Sequence, residues 1–173
     1  MRPLPQIPEW VQLEHKVAQI LTEQELHGWY FDQRAAWKLA STLRKELEET
    51  VELLRNRHPF VGGSEFTPKR NKKSAGYIEG AVFQRLKETN PTSRDHISWI
   101  LQTFHGWTPT QLTPTGKPII DEIVLKETAA SGGPSIALEF LKCLDITKSL
   151  GMISEGTNAW LKLCTSASRI HHH

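Results

Sequence analysis

The sequence predicts a mostly helical fold, α+β at most, made of an elongated antiparallel helix pair, several small helices, a glycine-rich basic insertion and at most one short hairpin. Three observations lead to this expectation. Two long segments carry apolar residues at helical spacing between start and stop signals. Residues 61–88 are instead basic and interrupted by glycines. The chain has 173 residues, of which 38% are hydrophobic and 23% charged, and this composition suits one globular core.

The first two helices follow from their apolar stripes and their caps. Residues 1–8 contain three prolines, which predicts an extended linker before them. Gly28 ends the first helix, since glycine suits a left-handed cap, and Asp32 is the predicted N-cap of a second helix that stops before His58 and Pro59. We expect the two helices to pack antiparallel. The stripe of the first helix consists of Trp10, Leu13, Val17, Ile20, Leu21 and Leu26.

Shorter elements are predicted for the remainder of the chain. A strand is expected over residues 81–86, within the basic insertion. Thr92 or Ser93 caps a helix that extends to Phe104. Further helices are expected over three segments, 121–126, 134–150 and 154–163.

Composition narrows the classes of function. The formal net charge is only +2, which excludes a strongly basic protein that binds any polyanion. A nucleic-acid site must therefore come from local clusters of cations. Cys143 and Cys164 lack metal-ligand spacing, which indicates a reducing, cytoplasmic compartment. No apolar window has the length of a membrane span, and the polar start of the chain is not typical of a signal peptide.

Two polar loops carry the functional interpretation, and the first is residues 90–97, with the sequence NPTSRDHI. It combines hydroxyl groups, a helix start and a cation, and its candidate anion-binding residues are Asn90, Thr92, Ser93 and Arg94. Free N–H groups and the positive end of the helix dipole would join them around a phosphate. The alternative is that the hydroxyls only satisfy backbone donors at the helix start.

The second polar loop is residues 113–118, with the sequence TPTGKP. Thr113, Thr115 and Lys117 can donate hydrogen bonds to phosphate, and Gly116 would let the backbone approach closely. Lys148, on a later helix, would reach the same groove. The alternative is an ordinary turn, since proline and glycine both favour bends.

The densest run of positive charge consists of Lys69, Arg70, Lys72 and Lys73. Its aromatic and glycine neighbours make it a candidate DNA-contacting arm, and a solvated loop is the alternative. Signals of catalysis are absent from the sequence. No phosphate-binding loop follows a strand, no nucleophile elbow occurs, and no carboxylates stand at metal-ligand spacing. We therefore predict no catalytic residue, metal site or cofactor site in this chain.

Several motifs occur in a fixed order along the chain. The two polar loops enclose GWTPT at 106–110, and Asp121 and Glu122 follow them; LEHKV at 13–17 and GWYFD at 28–32 precede them. KSL at 148–150 and EGTNAWL at 155–161 come after them. In this order the motifs resemble the thumb region of family A DNA polymerases, nearest to those of short-tailed bacteriophages and more distantly to bacterial DNA polymerase I. The resemblance covers nearly the whole chain.

The resemblance implies a subdomain that holds primer–template duplex by its sugar-phosphate backbone during DNA replication. Asn90, Ser93 and Arg94 match the first backbone-contacting motif of the family. Matches to the second loop and to a lysine of the long thumb helix are Thr113, Thr115, Lys117 and Lys148. Such contacts would position DNA without reading its sequence.

The resemblance also implies what lies outside this chain. Residues 1–9 would be a linker from a missing exonuclease domain, 10–170 the thumb region with its insertion at 61–88, and 171–173 a tag remnant or the start of the missing palm. With palm and fingers absent, Mg²⁺ is expected in the palm, and nucleotidyl transfer is not expected from this chain alone. The implied partners are primer–template DNA and the remaining polymerase domains, in cis or in trans, in the cytoplasm of a bacterial host.

Some members of the family recruit a thioredoxin processivity factor through a long thumb insertion, but residues 61–88 are short, so a thioredoxin-like partner is not expected.

Two further hypotheses stand beside that of a polymerase thumb. The second hypothesis is a protein-interaction fragment of a split polymerase, which docks on the palm-and-fingers piece or on a processivity partner. The third, a small nuclease, is disfavoured because no acidic cluster has metal-ligand spacing.

Overall fold

The computed structural model describes residues 7–171, so most of the predicted linker and the last two histidines lie outside the described residues. The predicted mostly helical fold with a small β content is confirmed. The helices are α1 Glu9–His27, α2 Gln33–Arg57, α3 Arg94–His105, α4 Glu122–Ala130, α5 Ile136–Leu150 and α6 Trp160–Leu163. The strands are β1 Trp29–Tyr30, β2 Phe60–Phe66, β3 Phe83–Glu88 and β4 Arg169–Ile170, and they pair antiparallel as β1–β4 and β2–β3.

The chain divides into two compact units. The first contains the residues up to Thr42 and those from Leu150 onward, and the second contains residues 43–149. In the first unit, the segment after α1 meets the C-terminal part of the described chain, because β1 pairs with β4. Arg169 reinforces this pairing, since its Nη1 donates to the carbonyl oxygens of His27 and Gly28, at 3.1 Å each.

The predicted boundaries of the first two helices are confirmed. Gly28 follows α1 with a φ of 65°, in the left-handed region that favours glycine. The Asp32 carboxylate accepts a hydrogen bond of 2.9 Å from the Ala35 N–H, which is the expected N-cap contact. α2 ends at Arg57, two residues before Pro59.

The apolar stripe of α1 is exposed. Trp10 is 69% exposed and Leu13 is 61% exposed, and no side chain of this helix is buried. The predicted packing of α1 against α2 is therefore not supported. The second half of α2 enters the core of the second unit, where Leu54 is buried and Leu47 and Val51 are packed against the core cluster.

The predicted continuous helix over 154–163 is wrong. Residues Gly151–Glu155 form a π-helical turn, the backbone at Gly156 is extended, with ψ 162°, and helical structure resumes only at α6. The intervening residues explain the break, because glycine, threonine and asparagine are weak helix formers. The helix predicted from 121 is longer than expected, since α4 continues to Ala130.

The second unit is built around one apolar core. Helices α3, α4 and α5 and the second half of α2 contribute to it, and its largest fully buried residue is Phe140. Two ion pairs join α2 to α5 at the surface of this core: Arg57 with Glu139 at 2.8 Å, and Lys142 with Glu46 at 2.6 Å. The other buried members include Leu54, Val61, Ile97, Ile100, Leu101, Ile120, Leu125, Ile136, Ala137, Leu141 and Cys143.

A β-hairpin extends from the second unit between α2 and α3. β2 and β3 pair from Phe60 opposite Glu88 to Phe66 opposite Phe83, with a register shift between Gly62 and Glu65. The predicted strand over 81–86 is thus confirmed, although it begins and ends two residues later. Within the described residues, no helix combines the length and the hydropathy that a bilayer crossing requires.

Phe140 tests the assigned core of the second unit. Phe140→Ala should lower the free energy of unfolding by about 3–5 kcal/mol, because it removes a fully buried ring and leaves a cavity. Leu138→Ala is the matched control on the same helix, since Leu138 is exposed, and its effect should stay within about 0.5 kcal/mol. Urea denaturation measures both values. Equal effects of the two substitutions would contradict the assigned core.

His58 gives the second unit a predicted pH dependence. Its ring centroid lies 4.9 Å from that of Phe104 and 5.5 Å from that of His105. Burial, and then the charges of His105 and Arg57, lower the pKa of His58 below its usual value of 6.5. The unfolded chain therefore binds this proton more readily than the native protein does. The free energy of unfolding should fall as the pH drops below 6.5, until the pH is also below the lowered native pKa.

Urea denaturation on both sides of that pH, with the wild-type chain and with His58→Gln, measures this contribution. The fall in unfolding free energy on acidification should be smaller in His58→Gln, because glutamine has no proton to bind. Identical pH profiles for the two proteins would show that His58 does not contribute.

Candidate nucleic-acid interface

The first polar loop is held by hydrogen bonds within itself. The Oδ1 atom of Asn90 accepts from the backbone N–H of Thr92 at 3.1 Å and from its hydroxyl at 2.8 Å. The backbone N–H of Asn90 donates to Nδ1 of His96 at 3.0 Å. The Thr92 hydroxyl thus donates its proton within the loop, whereas the Nδ2 amide of Asn90 remains available as a donor. The sequence did not indicate the role of His96, because nothing in the motif shows that the imidazole turns back to Asn90.

The start of α3 is an uncapped helix N-terminus. Ser93 occupies the N-cap position, with φ −86° and ψ 118°, but its hydroxyl makes no capping hydrogen bond. The alternative interpretation, in which this hydroxyl satisfies the first backbone donors, is therefore wrong for Ser93. The first N–H groups of a helix have no partner inside the helix, so they remain available to an anion. Arg94 follows at once; its side chain is exposed and has no hydrogen bond or ion pair among residues 7–171.

The second polar loop is a tight turn. The N–H of Thr113 donates to the carbonyl of Lys117 at 2.7 Å, and the N–H of Gly116 donates to the carbonyl of Thr113 at 2.8 Å. Gly116 has a φ of 79°, which favours glycine. The hydroxyls of Thr113 and Thr115 lie 2.9 Å apart, and the former also accepts from the Lys117 N–H at 3.1 Å. The turn therefore presents Thr115 and Lys117 on an exposed tip.

An ion pair shows that the two loops are neighbours. Nζ of Lys117 lies 3.0 Å from Oδ2 of Asp95, in the first turn of α3. The second loop therefore lies beside the N-terminus of α3, next to Ser93 and Arg94. The sequence did not indicate this contact, since Asp95 and Lys117 belong to different elements and share no motif. Both side chains are well exposed, at 72% and 64%, so an incoming anion can reach the ammonium group.

Lys148 lies in the last turn of α5, and its side chain is exposed. The hydrogen bond and the charge of Lys126 lower the pKa of Glu122, and the charge of Lys148 contributes to the same lowering. Among the described residues, no hydrogen bond or ion pair joins the side chain of Lys148 to either polar loop, so its contribution to a common groove stays a prediction.

The predicted arm is the end of the β2–β3 hairpin. Its four cations, Lys69, Arg70, Lys72 and Lys73, are exposed. In the part of the chain that the structure describes, no hydrogen bond or ion pair joins their side chains to either polar loop. They form a separate group of positive charge.

The chemistry of the grouped residues suits an anion. Among residues 7–171, no three side chains of histidine, cysteine, aspartate or glutamate come together as metal ligands. Burial raises the pKa of the Cys143 thiol to about 11, so this cysteine stays protonated at neutral pH. The two loops instead supply hydroxyl groups, backbone N–H groups and cations.

The chain is related in sequence to DNA-directed DNA polymerases of phages. It is 30% identical over 207 residues to the enzyme of Escherichia phage T7, and 30% identical over the same length to that of Enterobacteria phage T3. Each match covers 94% of this chain but only 29% of the polymerase. The chain thus spans less than a third of these relatives. No protein-family model matches the sequence.

Asp95 should limit the affinity of the loops for anions. Asp95→Asn removes the carboxylate that forms the ion pair with Lys117. The affinity of the chain for a polyanion such as heparin should therefore rise roughly threefold to tenfold at moderate salt. The free energy of unfolding should change by less than about 1 kcal/mol, because the pair is exposed. Fluorescence titration and urea denaturation measure the two effects.

Glu49→Gln is the matched control for this substitution. It removes the same charge from an exposed pair, Lys45 with Glu49 at 3.9 Å, on α2. Its heparin affinity should rise less than that of Asp95→Asn. Equal affinities for the two variants would mean that Lys117 does not contribute locally.

Proposed function

We propose that this chain is the thumb region of a family A DNA-directed DNA polymerase and that it holds primer–template duplex by the sugar-phosphate backbone during replication. The observation that carries the proposal is the contact between Lys117 and Asp95, because it shows that the second loop lies beside the N-terminus of α3. Two separate sets of phosphate donors thereby become neighbours.

The chemistry of these donors suits a nucleic-acid backbone. Backbone N–H groups at the start of α3, the hydroxyls of Ser93 and Thr115, and the cations of Arg94 and Lys117 all match phosphate oxygens. None of them is arranged to distinguish one base from another. The overall charge of +2 is too small for general attraction to DNA, so binding would depend on this local arrangement.

The sequence relationship supports the same assignment. The relatives are DNA-directed DNA polymerases, and the chain matches 29% of their length. In this proposal, nucleotidyl transfer and its Mg²⁺ ions belong to the palm and fingers, and this chain contributes DNA binding. The place of action is the cytoplasm of a bacterial host.

Salt dependence of DNA binding tests the proposal. Each phosphate contact contributes about −0.9 to the slope of log affinity against log salt. Arg94→Ala combined with Lys117→Ala should therefore flatten that slope by about 2 and weaken binding at low salt. Fluorescence anisotropy with a labelled primer–template duplex, titrated at several salt concentrations, gives the slopes.

Lys45→Ala combined with Lys16→Ala is the control with the same change of charge. Both lysines are exposed and lie on helices α2 and α1, outside the two loops. The slope of this control should stay near that of the wild-type chain. An unchanged slope in the Arg94 and Lys117 variant would contradict the proposed site.

A second candidate function rests on the exposed face of α1. In this hypothesis the chain is an interaction fragment of a split polymerase, and the face docks on the palm-and-fingers piece, with a processivity partner as the other occupant. Nineteen residues of helix bury no side chain, although apolar groups recur along one stripe. Exposed apolar surface of this extent is typical of a surface that binds another protein. The stripe contains Trp10, Leu13, Val17, Ile20 and Leu21.

Complementation tests this second function. The palm-and-fingers segment of the same polymerase should regain DNA synthesis when this chain is added. Leu13→Asp combined with Ile20→Asp should abolish the gain, whereas Gln19→Asp, which changes a polar position of α1, should preserve it. Equal complementation by all three proteins would exclude the stripe as the docking surface.

A further inference from the structure

The β2–β3 hairpin, residues 60–88, carries more net positive charge than the whole chain. It holds six lysine and arginine residues against three glutamates, a net of +3, whereas the full chain has +2. The remainder is therefore slightly acidic. The hairpin cations are Lys69, Arg70, Lys72, Lys73, Arg85 and Lys87.

The cations at the end of the hairpin are unpaired. In the described residues, no carboxylate lies within ion-pair distance of Lys69, Arg70, Lys72 or Lys73. Elsewhere in the second unit, four lysines are each matched with an acid: Lys45 with Glu49, Lys117 with Asp95, Lys126 with Glu122 and Lys142 with Glu46. The end of the hairpin therefore holds the largest group of unpaired cations in the described part of the second unit.

The end of the hairpin is structured by aromatic packing. The rings of Phe66, Tyr77 and Phe83 lie 5.1–5.9 Å apart, centroid to centroid, and the guanidinium of Arg85 lies 5.1 Å from the Phe66 ring. Asn71 accepts a hydrogen bond of 2.7 Å from the N–H of Glu79. The aromatic rings and this hydrogen bond hold the backbone that carries the cations, while the four cationic side chains are exposed to solvent.

The base of the hairpin is joined directly to the first polar loop. β3 ends at Glu88, and the buried Thr89 that follows is held by hydrogen bonds at both its N–H and its carbonyl. Its N–H donates to the carbonyl of Pro59 at 3.0 Å, and its carbonyl accepts from Nε of Arg55 at 3.1 Å. Asn90 comes next. The hairpin and the loop are therefore anchored at a common point of the second unit.

The length of β3 gives an estimate of how far the end of the hairpin extends from the first polar loop. Six residues of strand extend about 20 Å, at roughly 3.3 Å per residue. The rise of duplex DNA is about 3.4 Å per base pair, so the end of the hairpin can reach phosphates roughly six base pairs from those at the first loop.

We propose that this hairpin is a second, sequence-independent contact with duplex DNA, which binds phosphates about six base pairs from the polar loops. The proposal rests on the proposed function, because it requires a duplex held at those loops. Duplex DNA is favoured over an acidic polypeptide because a duplex held at the polar loops has phosphates within reach of the hairpin.

Two lengths of duplex separate the hairpin from the loops. A duplex of about 5 base pairs, closed at one end by a nucleotide loop so that it stays paired, can fill the loop site alone, whereas one of about 20 base pairs also reaches the hairpin. The full chain is compared with Lys72→Gln combined with Lys73→Gln, and with a control of equal charge change, Lys16→Gln combined with Lys38→Gln. The hairpin variant should bind the long duplex roughly threefold to tenfold more weakly than the control, and both should bind the short duplex equally.

The outcomes distinguish the two proposals. Equal binding of the long duplex by the hairpin variant and the control overturns the hairpin contact. Polyglutamate serves as the probe for an acidic protein. If the hairpin variant loses more affinity for polyglutamate than for the long duplex, the hairpin is assigned to an acidic protein instead. If Arg94→Ala combined with Lys117→Ala binds the short duplex like the wild-type chain, the proposed function fails. Circular dichroism of each variant checks that its fold is retained.

Discussion

The relative position of the two polar loops depends on the apolar core beneath them. Ile97 and Ile100 on the inner face of α3 lie in the same cluster as Ile120 and Leu125, which follow the second loop. Burial of each such side chain contributes roughly 1.5–3 kcal/mol, whereas an exposed ion pair such as Lys117 with Asp95 contributes about 0–1 kcal/mol. The ion pair therefore shows that the loops are adjacent, whereas the apolar core keeps them in that position.

This division of roles explains how a nearly neutral chain could bind a polyanion. The stabilising residues lie inside, so the donors at the surface can remain without partners, as at the uncapped start of α3. Positive charge is concentrated in the hairpin, and elsewhere in the second unit much of it is matched by carboxylates. Binding to phosphates would then be a matter of position, with no recognition of base sequence.

The sequence predicted what local chemistry determines, and missed what distant contacts determine. Gly28, Asp32 and Pro59 mark helix ends through their own backbone preferences, so those boundaries were correct. The exposure of the α1 stripe could not be predicted, because periodicity shows that a helix has an apolar face and not what covers it. Within the site, the residue types indicated anion binding, but the pairing of Lys117 with Asp95 and the turn of His96 toward Asn90 arise from tertiary structure.

The central claim is that the two loops form one surface for a DNA backbone. The most direct measurement is a titration of the ¹⁵N-labelled chain with a short duplex, in which backbone amide signals are followed by NMR. The account predicts that the amides of Arg94 and Asp95, at the start of α3, shift together with those of Thr115 and Gly116, with one common affinity. Shifts confined to one loop, or different affinities for the two, would contradict it.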